Sequence, residues 1–380
     1  MALERKSHLS KVKRVVIKIG SSLLTNPKKK AIQATFLTHL ATQIKTLQQK
    51  NIQCVIVTSG AIAAGFYKLG LKERPKEIAQ LQALAAIGQS QLMHSYEKTF
   101  KRSGLNVAQL LLTWEDLSHR NRYSNAHNTL IELFKNKVIP VVNENDTVAV
   151  EEIKFGNNDT LGVLVTHLCE ADLLIVLTDT NGLYDEDPRL NPKAKLINDV
   201  DSLNPNIEKN ATSTRSAVGT GGMKTKVHAA KSMMQSGIPM VIANGKTKNV
   251  LTKILASEKV GTFFYPSSSK MNSRKRWLAW GVKPRGEIRV DEGAQKAICE
   301  KDKSLLPGGI QSVMGYWSVG EVVKVVGMDN QEIAKGIVNY SSEDLKLIKG
   351  LKTEQIAEKL GRKSADEVIH RDNLVKTESF

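Results

Sequence analysis

Along residues 14–265, short runs of β-branched and aliphatic side chains alternate with longer stretches whose apolar positions recur at helical spacing. The runs predict strands at 14–19, 53–58, 107–112, 138–143, 173–178 and 240–243. They are nearly continuous in apolar residues, as strands covered on both faces must be. Helical patterns stand out at 76–101, 121–135 and 223–236, the last stopped by Gly237. This alternation predicts an α/β domain of the doubly wound kind on a mainly parallel sheet. In such sheets ligands gather beyond the carboxyl ends of the strands.

The texture changes at 267–281, where SSSKMNSRKRWLAWG is polar and basic and reads as a domain junction. Beyond it, GEIRV, GEVVKVVG and EIAKGIVNY alternate in short segments separated by Gly, Pro and Asp, the pattern of a small, mostly β, barrel-like module. With 380 residues, two domains are expected. The division expected is a basic N-terminal extension at 1–13, the α/β domain at 14–266, a linker at 267–282, the β module at 283–361 and a loose tail at 362–380. Trp277 and Trp280 have the chemistry to stack on bases, but packing at the junction is the favoured reading.

Candidate chemistry sits where the strands end. Lys18, Gly20, Ser21 and Ser22 follow the first strand, and Thr58, Ser59, Gly60 and Ala61 the second. Asn143, Glu144, Asn145 and Asp146 follow the fourth, and Thr178 with Asp179 the fifth. One such segment is an ordinary helix cap; four at one sheet edge indicate a site. Lys18 interrupts the run VVIKIG, and lysine is rarely buried without a partner.

At 219–226 the sequence GTGGMKTK opens a helical stretch. Glycine lets backbone N–H groups approach an anion, the helix N-terminus adds partial positive charge, and Lys224 or Lys226 adds a full one. It is not a Walker A loop, because Met240 stands where Gly245-Lys246-Thr247 would need a glycine. Nor is it a dinucleotide fingerprint, because Lys224 replaces the third glycine.

The net charge of +17 invites a nucleic-acid partner, yet its distribution argues otherwise. Residues 1–269 carry 35 Lys+Arg against 22 Asp+Glu, a balance of +13, whereas residues 270–380 carry 20 against 16, only +4. The excess accompanies the phosphate-type loops and suits small anionic substrates, while a stand-alone RNA binder built on the β module would be electrostatically weak. No apolar run approaches the ~20 residues that span a bilayer, and the first residues lack the apolar core of a secretory signal, so no membrane partner and a cytoplasmic location are expected. Cys54, Cys169 and Cys299 are expected as reduced thiols, and the eight histidines show no metal-ligand spacing.

Taken together, VVIKIGSS, VTSGAIAAG, PVVNENDTVAVEEIKFGNND, LTDTNGLYDEDPR and GTGGMKTK resemble the glutamate 5-kinase pattern within the amino-acid kinase superfamily. NRKRW, DEGA and SLLPGGI resemble that family's C-terminal PUA domain. The resemblance covers about residues 14–371. It implies an amino-acid-kinase-like three-layer sandwich plus a small PUA barrel, and transfer of the ATP γ-phosphoryl group to the side-chain carboxylate of L-glutamate, the first step of proline synthesis. An acceptor carboxylate is already ionised at neutral pH, so no general base is demanded.

By the same resemblance, Lys18 and Lys226 act on the migrating phosphoryl group, Gly20 lends a backbone N–H, and Asp159 fixes both lysines. Mg2+ rides on the β and γ phosphates with few direct protein ligands. Ser59, Asp146 and Asn158 match the glutamate contacts. Thr178, Asp179, Thr220, Gly221, Gly222, Met223, Lys224, Thr225 and Lys226 match the nucleotide side. A homo-oligomer, feedback inhibition by proline, and RNA as a partner to be tested through the PUA domain are further expectations. Two departures stand out: Asn157 where the family reads Asp in GDND, and Leu161-Gly162-Val163 where it reads Leu-Ser-Ala. The lysine-rich insert at Lys28, Lys29 and Lys30 and the basic N-terminus read as solvated charge.

Overall fold

The computed structural model describes residues 2–26, 29–149, 158–203, 222–266, 273–362 and 365–377. The chain divides into two compact units, Met1–Lys270 and Met271–Phe380.

In the first unit, eight strands of the described residues form one sheet: β1 Arg14–Ile19, β2 Gln53–Val57, β3 Val107–Leu112, β4 Ile139–Glu144, β5 Leu173–Thr178, β6 Asp199–Val200, β7 Met240–Asn244 and β8 Thr262–Phe264. Their order is β6-β8-β7-β5-β1-β2-β4-β3, and every neighbouring pair is parallel except β7 with β8. The chain thus leaves β1 towards β2 on one side and returns to place β5 on the other. The carboxyl ends of β1 and β5 therefore flank the topological switch point, where a crevice opens because successive connections run to opposite faces.

Alternation along β1 decides which side chains see which layer. Val15, Ile17 and Ile19 join the apolar core beneath α3 (Ala34–Gln49) and α5 (Ile78–Arg102), with Leu37, Leu40, Ile44, Leu92, Tyr96 and Phe100. Val16 and Lys18 face the other way, where α8 (Asn158–Leu168) crosses the sheet. There a Cβ built on Gly162 would meet Cβ and Cγ of Lys18 at 3.5 Å.

Helix α4 (Ala61–Lys68) begins after Gly60, whose φ of +95° is open to glycine at little cost. It packs on α5 almost backbone to backbone: a Cβ on Gly65 would lie 2.0 Å from Leu84 O, and one on Gly88 1.8 Å from Ala61 O. In helix α1 (Ala2–Leu9) and the residues after it, Lys6, Lys11 and Lys13 are exposed, as expected of solvated charge, but Arg5 departs from that expectation. Arg5 is 2% exposed, donates from Nε to Asp199 Oδ1 at 2.7 Å and from Nη2 to the Asn198 carbonyl, and lies over the Phe263 ring. Cys54 and Cys169 are buried free thiols, pushed up to about 12 by that burial, while Cys299 is half-buried.

The second unit holds a five-stranded sheet of β9 Gly286–Val290, β10 Ile310–Gly315, β11 Val322–Val326, β12 Glu332–Ile337 and β13 Leu374–Lys376, in the order β10-β9-β11-β12-β13. Two expectations give way here. Residues 362–380 were expected as a loose tail, but Leu374 and Val375 are buried and pair as β13 with β12, and Leu374 joins the apolar core of this unit. Part of the expected linker, Trp277–Gly281, is a π-helical turn packed on β12 and β13 within this unit. Trp277 is buried there and cannot offer a face to a base.

Candidate active site

At the carboxyl end of β1, Lys18 projects onto the first turn of α8. Its Nζ lies 2.7 Å from Asp159 Oδ1, while Lys226 Nζ, from the first turn of α9 (Met223–Gln235), lies 3.2 Å from Asp159 Oδ2. Thr225 Oγ1 is 2.6 Å from the same Oδ2. One carboxylate therefore joins two cations from distant parts of the chain. Lys18, Asp159 and Lys226 are 6%, 0% and 7% exposed.

Burial alone would push the Asp159 carboxyl up. The ammonium groups of Lys18 and Lys226, with the Thr225 hydroxyl, override it and hold the carboxyl well below the usual carboxylate range. Its place in the first turn of α8 adds the favourable end of the helix dipole. Lys18 is lowered from the ordinary lysine range, chiefly by burial and further by Lys226, with Asp159 opposing. Two cations against one carboxylate leave an excess positive charge in a nearly closed place, which fits an anionic group such as a nucleotide phosphate. Asp159 is already committed to its two lysines, and among the described residues no three His, Cys, Asp or Glu side chains cluster to hold a metal ion.

Beside this cluster lies a polar network. Asn158 Nδ2 is 2.7 Å from Thr58 O, 3.0 Å from Ser59 Oγ and 3.0 Å from Asn143 Oδ1. The ends of β2, β4 and α8 meet there. Asn143 Nδ2 in turn donates to Gln89 Oε1 of α5 at 2.8 Å. Asn143 and Gln89 are 2% and 8% exposed. Neither was singled out for chemistry on its own from the sequence, although Asn143 lies in one of the strand-end segments. Asp146 is half-buried in the turn that follows β4.

The nucleotide set is split. Thr178, buried at the end of β5, donates to Asp179 Oδ1 at 3.2 Å, and Asp179 is exposed. Gly222 caps α9 and its carbonyl lies 2.8 Å from Thr225 Oγ1; Met223 is half-buried and Lys224 exposed. Thr220, Gly221 and Asn157 lie outside the described residues. Gly20 corrects the sequence reading: its N–H donates to Leu177 O at 3.0 Å, joining β1 to β5, so this amide is already committed to the sheet.

The amino acid kinase family model matches residues 13–244 and the PUA domain model residues 286–360. The chain is 52% identical to the glutamate 5-kinase of Caldanaerobacter subterraneus subsp. tengcongensis, over 96% of this chain and 98% of that one. It is 50% identical to that of Thermoanaerobacter sp. strain X514, over 95% and 97%, and 49% identical to that of Geobacter metallireducens, over 98% and 99%. With one carboxylate spanned by two buried lysines at the switch point of a mainly parallel sheet, and with likeness over nearly its whole length, the chain belongs to the amino acid kinase family, among its glutamate 5-kinases.

Proposed function

We propose that this protein transfers the γ-phosphoryl group of ATP to the side-chain carboxylate of L-glutamate, forming L-glutamyl 5-phosphate, the first step of proline synthesis. The observation that carries this reading is the clamp of Lys18 and Lys226 on opposite oxygens of buried Asp159. Phosphoryl transfer needs two anions held in line and the charge of the migrating group neutralised, with little covalent help from the protein. Asp159 keeps both ammonium groups pointed at one place before substrates arrive, so little reorganisation is left for the reaction itself.

In this reading Lys18 and Lys226 contact the migrating group and its bridging oxygens. The first turn of α9, with Gly222, Met223, Lys224 and Thr225, faces the nucleotide phosphates; Thr178 and Asp179, with Thr220 and Gly221, complete the nucleotide side. Mg2+ bound with the nucleotide would supply further positive charge to its phosphates, beside Lys18 and Lys226. Ser59 and Asn158 hydrogen-bond glutamate carboxylate oxygens, and Asp146 meets the α-ammonium. Family resemblance adds a homo-oligomer, proline as feedback inhibitor, a cytoplasmic location, and RNA as a partner of the PUA domain to be tested. No helix among the described residues is long and apolar enough to cross a membrane.

The test is ADP release with ATP, Mg2+ and candidate acceptors, with hydroxylamine present to trap an acyl phosphate as its hydroxamate. Glutamate-dependent hydroxamate is expected. ADP release that ignores glutamate, or that favours another acceptor, would overturn the reading.

A further inference from the structure

The polarity of the network beneath Ser59 is fixed by its members. Asn158 Nδ2 points at Asn143 Oδ1, which leaves Asn143 Nδ2 to donate to Gln89 Oε1. The other end of the Gln89 amide is thereby set as a donor. Its Nε2 is buried and has no hydrogen-bond partner among the described residues, on a side chain 8% exposed. A buried N–H group without an acceptor is costly and rare in native proteins, and it calls for an acceptor that arrives from outside. The helix that carries it cannot be a loose element: Gly88, the preceding residue, is pressed against Ala61 O, two residues from Ser59. Gln89 is thus held rigidly on α5, two hydrogen bonds away from Asn158 through the single side chain of Asn143.

From this we infer that Gln89 is a substrate-binding residue, donating from Nε2 to the α-carboxylate of the amino-acid substrate; the inference rests on the glutamate reading above. The acceptor end of that substrate must lie at Lys18 and Lys226, so its far end, which carries a second carboxylate, points away from them. That far carboxylate needs donors, and Gln89 Nε2 is a buried donor in want of one. The same contact discriminates: an acceptor lacking the α-carboxylate leaves Nε2 unpaired and is disfavoured.

The experiment compares the full-length wild type with Gln89→Glu and Gln89→Met, using glutamate and 4-aminobutyrate, which keeps the reacting carboxylate but lacks the α-carboxylate. Gln89→Glu retains an oxygen for Asn143 and replaces only the donor. Both variants should raise KM and Kd for glutamate by about 10- to 100-fold, with KM for ATP within about twofold, as expected for loss of a hydrogen bond to a charged group. Wild-type preference for glutamate over 4-aminobutyrate should shrink by the same factor. Thermal melts and ATP binding establish that each variant is folded. Glutamate KM and Kd unchanged in folded variants, or equal losses for glutamate and 4-aminobutyrate, overturn the Gln89 assignment while leaving the function intact. A wild type without glutamate turnover overturns the function itself.

Discussion

Lys18 Nζ and Asp159 Oδ1 are 2.7 Å apart with both side chains out of solvent, and the second oxygen of the same carboxylate is held by Lys226. Asp159→Asn would keep the shape and remove the charge, leaving two buried cations with no carboxylate between them. Breaking a buried pair in this way costs about 3–5 kcal/mol. Denaturant unfolding should show a loss of that size, and kcat should fall on the order of 100-fold or more. A variant with wild-type stability and rate would remove Asp159 from the charge cluster.

The pH dependence follows from the same two groups. Lys18 is lowered from the lysine range, so the rate should decline on the alkaline side below the ~10.4 of a free lysine, as the ammonium loses its proton. Lys18→Arg should move that limb upward while lowering the rate, since a guanidinium stays charged but has a different shape. For stability, the folded carboxyl of Asp159 lies below its unfolded value. Its contribution is complete above about pH 3.9 and disappears as pH falls through the folded value. Acid titration of the unfolding free energy for wild type and Asp159→Asn should therefore converge at the acid end.

Gly162 is a helix-interior glycine with room for a methyl group. A Cβ there meets Lys18 Cβ and Cγ at 3.5 Å and Leu174 Cδ1 at 3.6 Å, all ordinary contact distances. Gly162→Ala should stabilise α8 by about 0.5–1 kcal/mol without loss of rate. A fall in Tm would mean that the Lys18 stem does not tolerate a neighbour there.

Gly88 is the opposite case. Any Cβ would meet the Ala61 carbonyl at 1.8 Å, so Gly88→Ala must force α4 and α5 apart. A loss of about 1–3 kcal/mol is expected from overpacking. Because Ser59 precedes α4 and Gln89 follows Gly88, the KM for glutamate should rise more than that for ATP. An equal rise in both would disconnect this helix crossing from the glutamate side.

Much of the first unit is legible in the sequence, for a physical reason. A central parallel strand must be apolar along its whole length, so its limits are written as polar residues at either end, and 14–19 and 173–178 match the observed strands residue for residue, as does the edge strand 107–112 despite its exposed Gln109. Lys18 was visible because it breaks such a run. Helix α3 was harder to mark from its own pattern: Thr38, Thr42 and Thr46 lower its propensity, yet each hydroxyl finds a carbonyl four residues back. Arg5 was misread because a lone arginine in a basic segment looks solvated until Asp199 and Phe263 are brought beneath it by the tertiary fold. Asp159 carries no local signature and came from family resemblance. Gln89 was invisible for the same reason, since only the pairing with Asn143 distinguishes it from any other polar residue on a helix.

The lysine–carboxylate–lysine junction draws its three members from β1, α8 and α9, near the beginning, middle and end of the first unit. Contacts so widely spaced in sequence close late, after the loops between them have lost their freedom. Lys18 and Asp159 alone make a neutral pair, and the surplus cation is supplied by Lys226, the last of the three in the chain. The surplus positive charge that suits a phosphate therefore exists only once segments from the two ends of this unit have come together on one carboxylate.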